Sequence, residues 1–234
     1  MKSLIRNPYQ ITLNSEIIQR RREGVTSHLV LKDSILMDYS QLGLPLEKAS
    51  LSGLRLIRTY TSGGKLVHVV QGAPSSSEVT IEVDPRDRIN NQRDVTLRIL
   101  TSHALAYYFN RQAFNFRRKE GDRIQSAQVT FLEEDQPEDL ESSPSPTLLT
   151  IQGHFTREEV LDMTRILKDR VDQVSRAALQ VKTSREDSLK TAVFGLFSGP
   201  WRGPHLTSTA EIGPWSLEVA SLAPDSLTLE YRLL

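Results

Sequence analysis

The sequence predicts an α+β fold, and three observations support this class. Short apolar runs that alternate with polar residues dominate the first part of the chain, as is typical of strands. In 93–112 and 154–180, apolar residues instead recur at three- and four-residue intervals, the spacing of an amphipathic helix. The C-terminal part returns to strand-like segments, and the chain contains no internal repeat. This mixture predicts helices packed on antiparallel sheet.

The first predicted domain is a β-rich N-terminal lobe over 1–90. Its strand-like segments are 27–39, 52–72 and 78–84. The pair Gly63-Gly64 lies inside the second segment and indicates a tight hairpin turn, because both positions of such a turn favour residues that tolerate positive φ.

The second predicted domain covers 91–234 and opens with the helix at 93–112. The apolar face of this helix comprises Leu97, Leu100, Ala104, Tyr107 and Tyr108. A strand is predicted at 127–133. The next segment, 133–147, is acidic and rich in Pro and Ser, so we expect a mobile loop there.

A long helix follows this loop. Thr156 and Glu159 have the spacing of a capping box, which marks the start of a helix. The predicted buried stripe is Val160, Met163, Leu167, Val171, Val174 and Ala178. Ser184 and Asp187 give a weaker helix-start signal, and strands are predicted to close the chain.

Composition excludes several classes of protein. Lys plus Arg and Asp plus Glu both number 29, so net charge favours neither nucleic acid nor anionic membrane as a partner. The 234 residues include no cysteine, which excludes disulfides, thiol nucleophiles and Cys-based zinc sites. No apolar run approaches the roughly 20 residues that span a bilayer, and the N-terminus lacks the apolar region of a signal peptide. We therefore expect a cytoplasmic protein with no membrane contact.

Four segments, in chain order, carry a resemblance to a known family. They read KLVHVVQG…EVTIEVDPRDR, RILTSHALAYYF, FTREEVLDMTRIL and GPHLTSTAEIGPWSLE. Together they resemble the editing domain of alanyl-tRNA synthetase and its free-standing relatives, the AlaX-type alanyl-tRNA editing proteins. The match covers most of the chain, and HLTSTAEIG is its most specific piece.

The resemblance implies a fold, an activity and a partner. The fold would be the editing domain that threonyl- and alanyl-tRNA synthetases share as a second additional domain. The activity would be hydrolysis of the ester that joins a wrong amino acid to tRNA(Ala). The family's site would hold zinc, which orients or activates the attacking water.

The zinc ligands of the family are mostly replaced here. The family's Cys-x-x-x-His falls on Trp201 and His205, so only the histidine remains. The His-x-x-x-His of the helix can be placed in two frames. One puts Ile99 and His103 at the ligand positions, and the other puts Leu100 and Ala104 there.

We prefer the first frame, in which each half keeps its trailing ligand. His103 and His205 would then be at most vestigial ligands, and we expect zinc to be lost as a cofactor. We also expect Ile99 (or Leu100) and Trp201 to fill the former metal cavity. The alternative for the two histidines is that both are satisfied polar groups of an old cleft.

A third motif of the family is also altered. Its Gly-rich loop, which lets the backbone approach the acceptor end of the tRNA, leaves only Gly43 and Pro45 in register, with Leu44 between them. The function predicted by lineage is therefore that of an alanyl-tRNA editing protein with impaired hydrolysis, a pseudoenzyme. The alternative is a non-catalytic relative that binds RNA or a protein, and a third class is a structural protein without nucleic acid.

Two further groups of residues are candidates for function. Arg117, Arg118 and Lys119 follow Phe114 and Phe116, an interleaving of charge and aromatic rings that is typical of RNA contacts. The alternative is a solvated face beside a buried strand. The hydroxyls of 207–209 with Glu211 are interpreted as a hydroxyl-rich turn, because no histidine is spaced to activate a serine. Histidines 28, 68 and 154 are assigned no chemistry.

Overall fold

The computed structural model describes residues 7–115, 127–131, 147–186, 188–193, 197–199 and 203–234. The chain divides into two compact units. Unit 1 comprises Met1–Gln92, Thr183–Thr191 and Pro200–Leu206, and unit 2 comprises Arg93–Lys182, Ala192–Gly199 and Thr207–Leu234. Both units are assembled from several segments, and the predicted domains 1–90 and 91–234 stay a prediction.

The described part of the chain is mostly β. Its strands are β1 (Thr12–Glu23), β2 (Thr26–Leu31), β3 (Ala49–Leu51), β4 (Leu54–Ser62), β5 (Lys65–Gln71), β6 (Glu78–Val83), β7 (Ala127–Phe131), β8 (Thr147–Gln152), β9 (Val181–Glu186), β10 (Ser188–Val193), β11 (Phe197–Gly199), β12 (Trp215–Ala223) and β13 (Ser226–Leu233). The helices are α1 (Tyr39–Leu42), α2 (Pro85–Asn115), α3 (Arg157–Arg176) and a 3₁₀ turn (Thr209–Ile212).

The predicted α+β class of editing-domain type is wrong. Strands β1 to β6 close into an antiparallel barrel in the order β1-β2-β5-β4-β3-β6, and few helices accompany them. The sequence segments were interpreted as strands of a sheet that helices would cover. Closure changes this, because a closed sheet buries its apolar face in its own interior and has no edge strands.

Strand β1 closes the barrel by pairing with a neighbour on each side. Leu13 is opposite Ile81 of β6, and Ile17 is opposite Leu31 of β2. The turn between β4 and β5 consists of Gly63 and Gly64, with φ of 56° and 73°. The hairpin predicted from these two glycines is confirmed. Side chains buried in this part of the chain include Leu29, Leu31, Ile35, Leu36, Leu51, Leu56, Val70 and Ile81.

Helix α2 begins directly after β6 and is longer than the predicted 93–112. Asp84 accepts hydrogen bonds through Oδ1 from the backbone N–H groups of Arg86 and Asp87, at 2.8 and 3.1 Å. Pro85 occupies the first helical position, where its missing N–H costs nothing. Both features are common at the start of a helix. Because the helix begins at Pro85, Arg88 and Asn91 lie on its first turns.

In unit 2, the order β12-β13-β8-β7 forms a four-stranded antiparallel sheet, and the strand predicted at 127–133 is present as β7. Helix α3 has the predicted capping box of Thr156 and Glu159. Its buried side chains are Val160, Met163, Leu167, Val171 and Val174, as predicted. Ala178 was placed on this stripe, which is wrong: the helix ends at Arg176, and Ala178 is exposed with φ of 51°.

Two further predictions concern a helix start near Ser184 and the acidic loop at 133–147. The helix start predicted at Ser184 and Asp187 is wrong, because Ser184 lies in β9, and β9 belongs to a sheet in the order β11-β10-β9. Asp187 itself lies outside the described residues. Residues 133–146 of the predicted acidic loop lie outside the described residues. Among the helices that the structure describes, none is long and apolar enough to cross a membrane.

Candidate functional site

The two frames for the helix motif both place aliphatic side chains in the core. Ile99 is 0% exposed and Leu100 is 2% exposed, and Ala104 is also fully buried. His103, one turn after Ile99, is half-buried. Neither frame therefore offers two ligand atoms on α2. That Ile99 fills the volume of a former metal cavity stays a prediction.

His103 lies beside a cation. Burial lowers its pKa first, and the positive charge of Arg170 on α3 lowers it further. The guanidinium of Arg170 stacks over the ring of Tyr107 at 4.9 Å from the centroid. Tyr107 follows His103 by four residues, so both side chains lie on one face of α2. A fixed positive charge next to the imidazole opposes the binding of a metal cation there.

His205 belongs to unit 1, whereas His103 belongs to unit 2. Its side chain is buried, and Nδ1 lies 2.8 Å from the backbone oxygen of Leu206, to which it donates a hydrogen bond. Burial lowers the pKa of His205, an effect that this hydrogen bond opposes. Burial thus favours the neutral ring, and the hydrogen bond to Leu206 orients it. Among the described residues, no group of three or more His, Asp or Glu side chains is arranged to hold a metal.

The hydroxyl-rich segment after His205 is a structural turn, as predicted. Glu211 accepts through Oε1 from the Thr207 hydroxyl at 3.1 Å and from the Ser208 N–H at 3.0 Å. Ser208 caps the 3₁₀ turn by accepting from the Ala210 N–H. Thr209 is fully buried and donates to the backbone oxygen of Val174. These hydroxyls are engaged in holding the chain and are not poised as nucleophiles.

The loop that holds Gly43 and Pro45, which was compared with the family's Gly-rich loop on sequence alone, is packed inward. Gly43 ends α1 with φ of 57°, the left-handed conformation that glycine tolerates best. Leu44 is buried, and the side-chain amide of Asn91 donates to the backbone oxygen of Pro45 at 3.1 Å. The loop is therefore fastened to α2 by a hydrogen bond. Leu44 contributes to the core of unit 1.

Sequence reasoning missed the buried polar network next to this loop. Arg88 donates through Nε and Nη2 to Glu47 Oε2 at 3.0 and 2.8 Å, and through Nη2 to the Ile35 oxygen at 2.8 Å. The Tyr39 hydroxyl donates to the same carboxylate at 2.6 Å. Burial, and then the charge of Glu47, raises the pKa of Tyr39 well above its ordinary value. No local pattern marks these residues, because Glu47 and Arg88 meet only in the folded barrel.

The histidines to which no chemistry was assigned have structural partners. Inside the barrel, His68 Nδ1 donates to the Leu29 oxygen at 3.2 Å, and Nε2 lies 2.8 Å from the Ser34 hydroxyl. Burial lowers the pKa of His68 to about 4. His28 contacts the Tyr60 hydroxyl through Nδ1 at 3.1 Å. His154 hydrogen-bonds through Nδ1 to the Pro224 oxygen.

Four of the predicted site residues lie outside the described residues. They are Trp201 and the RNA-binding candidates Arg117, Arg118 and Lys119. The roles predicted for them stay predictions. The structure adds Arg170 and Tyr107 around His103. Tyr107 had been assigned to the apolar face of its helix, but it is 40% exposed.

Comparisons with known proteins identify no family for this chain. No family model and no curated protein matches the chain. Among solved structures, the chain is similar to a Leishmania major Friedlin protein assigned as an aspartyl-tRNA synthetase, at 12% identity and a TM-score of 0.19. The match covers 78% of this chain and 56% of that one, so the chain spans little more than half of its length. A likeness this weak carries no argument about fold or function.

Proposed function

We propose that the chain is a tRNA(Ala)-binding protein of alanyl-tRNA editing lineage whose hydrolysis of mischarged aminoacyl-tRNA is impaired. The observation that carries this proposal is the burial of Ile99. In the preferred frame this residue stands where the family has a zinc ligand, yet it is 0% exposed and has no ligand atom. The motifs HLTSTAEIG and RILTSHALAYYF support the lineage, and the residues at the lost ligand positions, Ile99 and Trp201, support the loss of activity.

Ester hydrolysis needs an activated water and stabilisation of the developing oxyanion. The residues nearest to the family's ligand positions are poorly suited to both tasks. His103 lies beside the positive charge of Arg170, which disfavours zinc. His205 is buried and its Nδ1 is bound to the Leu206 oxygen. If zinc were present, His103 and His205 would be the histidines left to hold it, and zinc binds weakly to two imidazoles without further ligands.

Two measurements on the full chain test whether it binds tRNA(Ala) and whether it has lost zinc. The first is the affinity for unacylated tRNA(Ala) by fluorescence anisotropy, with a tRNA of another identity as the control. The second is the zinc content after purification from zinc-supplemented medium. We expect tighter binding of tRNA(Ala) than of the control tRNA, and well under one zinc per chain. Equal or absent binding of both tRNAs would overturn the proposed partner. One tightly held zinc that is lost in His103→Ala and His205→Ala would overturn the proposed impairment.

A further inference from the structure

Helices α2 and α3 bring a basic and aromatic cluster together in unit 2. His103 and Tyr107 lie one turn apart on α2, and Arg170 projects from α3 onto the Tyr107 ring at 4.9 Å from its centroid. These three side chains, His103, Tyr107 and Arg170, form the Arg170 cluster. Tyr107 is 40% exposed, so the cluster reaches the surface of unit 2.

The guanidinium of Arg170 is held in place without being neutralised. Its face rests on Tyr107, and its Nη1 donates to the uncharged Gln173 side chain at 3.0 Å. Neither the tyrosine ring nor the glutamine amide carries a negative charge. A guanidinium that is preorganised in this way and keeps its charge is suited to bind the oxygens of an anion.

The acidic residues closest to Arg170 along α3 are engaged with other cations. Asp169 lies 3.9 Å from Arg165, and Asp172 lies 3.3 Å from Lys168. Asp172 also accepts a hydrogen bond from the Trp215 indole at 2.7 Å. No ion pair joins Arg170 to an acidic side chain within the part of the chain that the structure describes. The positive charge of the Arg170 cluster therefore lacks a counter-ion there.

We propose that the Arg170 cluster is a binding site for a phosphate group. Arg170 would supply the charge and the directed donors, and Tyr107 would hold the guanidinium plane, with His103 at the edge of the cluster. RNA backbone and free phosphate share this chemistry. RNA as the source rests on the proposed function, whereas the site itself does not.

The test uses the full chain and two probes, inorganic phosphate and tRNA(Ala). Ring resonances of His103 report on the cluster in NMR titrations, and those of His154, which is bound to the Pro224 oxygen, serve as the reference. The variant is Arg170→Gln. The matched control is Arg165→Gln on the same helix, which also removes one positive charge but from a side chain that pairs with Asp162. Thermal unfolding of each variant confirms that it is folded.

We expect inorganic phosphate to shift the His103 resonances and leave those of His154 in place. Arg170→Gln should weaken phosphate binding by about tenfold or more, the range expected for a charged hydrogen bond, and Arg165→Gln should change it by less than about twofold. Tyr107→Phe keeps the ring and should bind as the unmodified chain does, whereas Tyr107→Leu should weaken binding.

The two probes separate this site from the proposed function. If phosphate competes with tRNA(Ala) and Arg170→Gln weakens both, the RNA backbone is the source of the phosphate. If Arg170→Gln weakens phosphate alone and tRNA(Ala) is not bound, the site stands with free phosphate as its ligand and the proposed function fails. An equal response of Arg170→Gln and Arg165→Gln, or no shift at His103, would overturn the site even if tRNA(Ala) binds.

Discussion

Arg88 and Glu47 form a buried ion pair in unit 1, with Arg88 Nη2 2.8 Å from Glu47 Oε2 and exposed fractions of 1% and 0% for the two side chains. Tyr39 donates to the same carboxylate, and Asn91 donates to its other oxygen at 3.3 Å. The pair therefore ties the first turns of α2 to the chain segment before β3. Burying two charges is tolerable only because each satisfies the other.

Removing one member of this pair should be costly. Glu47→Leu leaves the guanidinium buried and unpaired, so we expect a loss of about 3–5 kcal/mol in the free energy of unfolding. Urea denaturation followed by circular dichroism measures it. The matched control is the exposed pair of Lys32 and Glu16, where Lys32→Gln should cost less than about 1 kcal/mol. The double variant Glu47→Leu/Arg88→Met should recover part of the loss, and additive losses would contradict this account of the pair.

His68 should make the barrel sensitive to acid. Burial lowers its pKa to about 4 from an ordinary value of 6.5, so the unfolded chain takes up the proton first as the pH falls. The contribution of His68 to stability is thus complete above about pH 6.5 and is lost progressively toward pH 4, by about 3 kcal/mol in total. An NMR titration of the ring checks the pKa. Titration of His68 near 6.5 would show that it is not held neutral in the barrel.

Ile99 should stabilise the fold, and a histidine at its position should not create a zinc site. Ile99→Ala removes a fully buried side chain, and we expect a loss of about 2–5 kcal/mol, depending on how far the core relaxes. Ile99→His places a polar ring in the same core and should lower the midpoint of urea unfolding further. Dialysis against zinc followed by elemental analysis should find no tight site in Ile99→His, because Arg170 remains next to His103. Stabilisation of this variant by zinc would contradict the prediction.

The hydroxyl of Thr209 should stabilise the turn in which it lies. It donates to the Val174 oxygen at 2.8 Å and accepts from the Leu179 N–H at 2.9 Å, both inside unit 2. Thr209→Val leaves two backbone groups without partners and should cost about 1–3 kcal/mol or more. Thr207→Val, at an exposed position of the same turn, is the control and should cost less than about 1 kcal/mol. If both variants lose the same free energy of unfolding in chemical denaturation, the buried hydrogen bonds of Thr209 add no stability beyond that of an exposed hydroxyl.

Local signals in the sequence predicted local structure well. The capping box of Thr156 and Glu159 and the hairpin at Gly63-Gly64 depend on residues within four positions of one another, and both are present. Barrel closure could not be predicted in this way. It depends on the pairing of β1 with β6, two strands far apart in sequence, and the alternating pattern of a strand does not name its partner.

The same limit applies to the candidate site. His103 was found because the segment RILTSHALAYYF resembles the family's His-x-x-x-His helix. Arg170 was not, because its importance comes from a contact between two helices that share no local motif. The helix start predicted at Ser184 failed for a related reason, since strand pairing overrides a weak capping signal.

The most direct test of the proposed impairment is a deacylation assay with seryl-tRNA(Ala) or glycyl-tRNA(Ala), with and without chelator. We expect release of the amino acid no faster than in His103→Ala and His205→Ala, and orders of magnitude slower than in an intact editing protein. The double substitution Ile99→His with Trp201→Cys should not produce activity, because Leu44 still packs inward beside Gly43 and Pro45. Fast turnover that resists chelator and is abolished by His103→Ala or His205→Ala would contradict the proposed impairment and reveal a metal-independent active site.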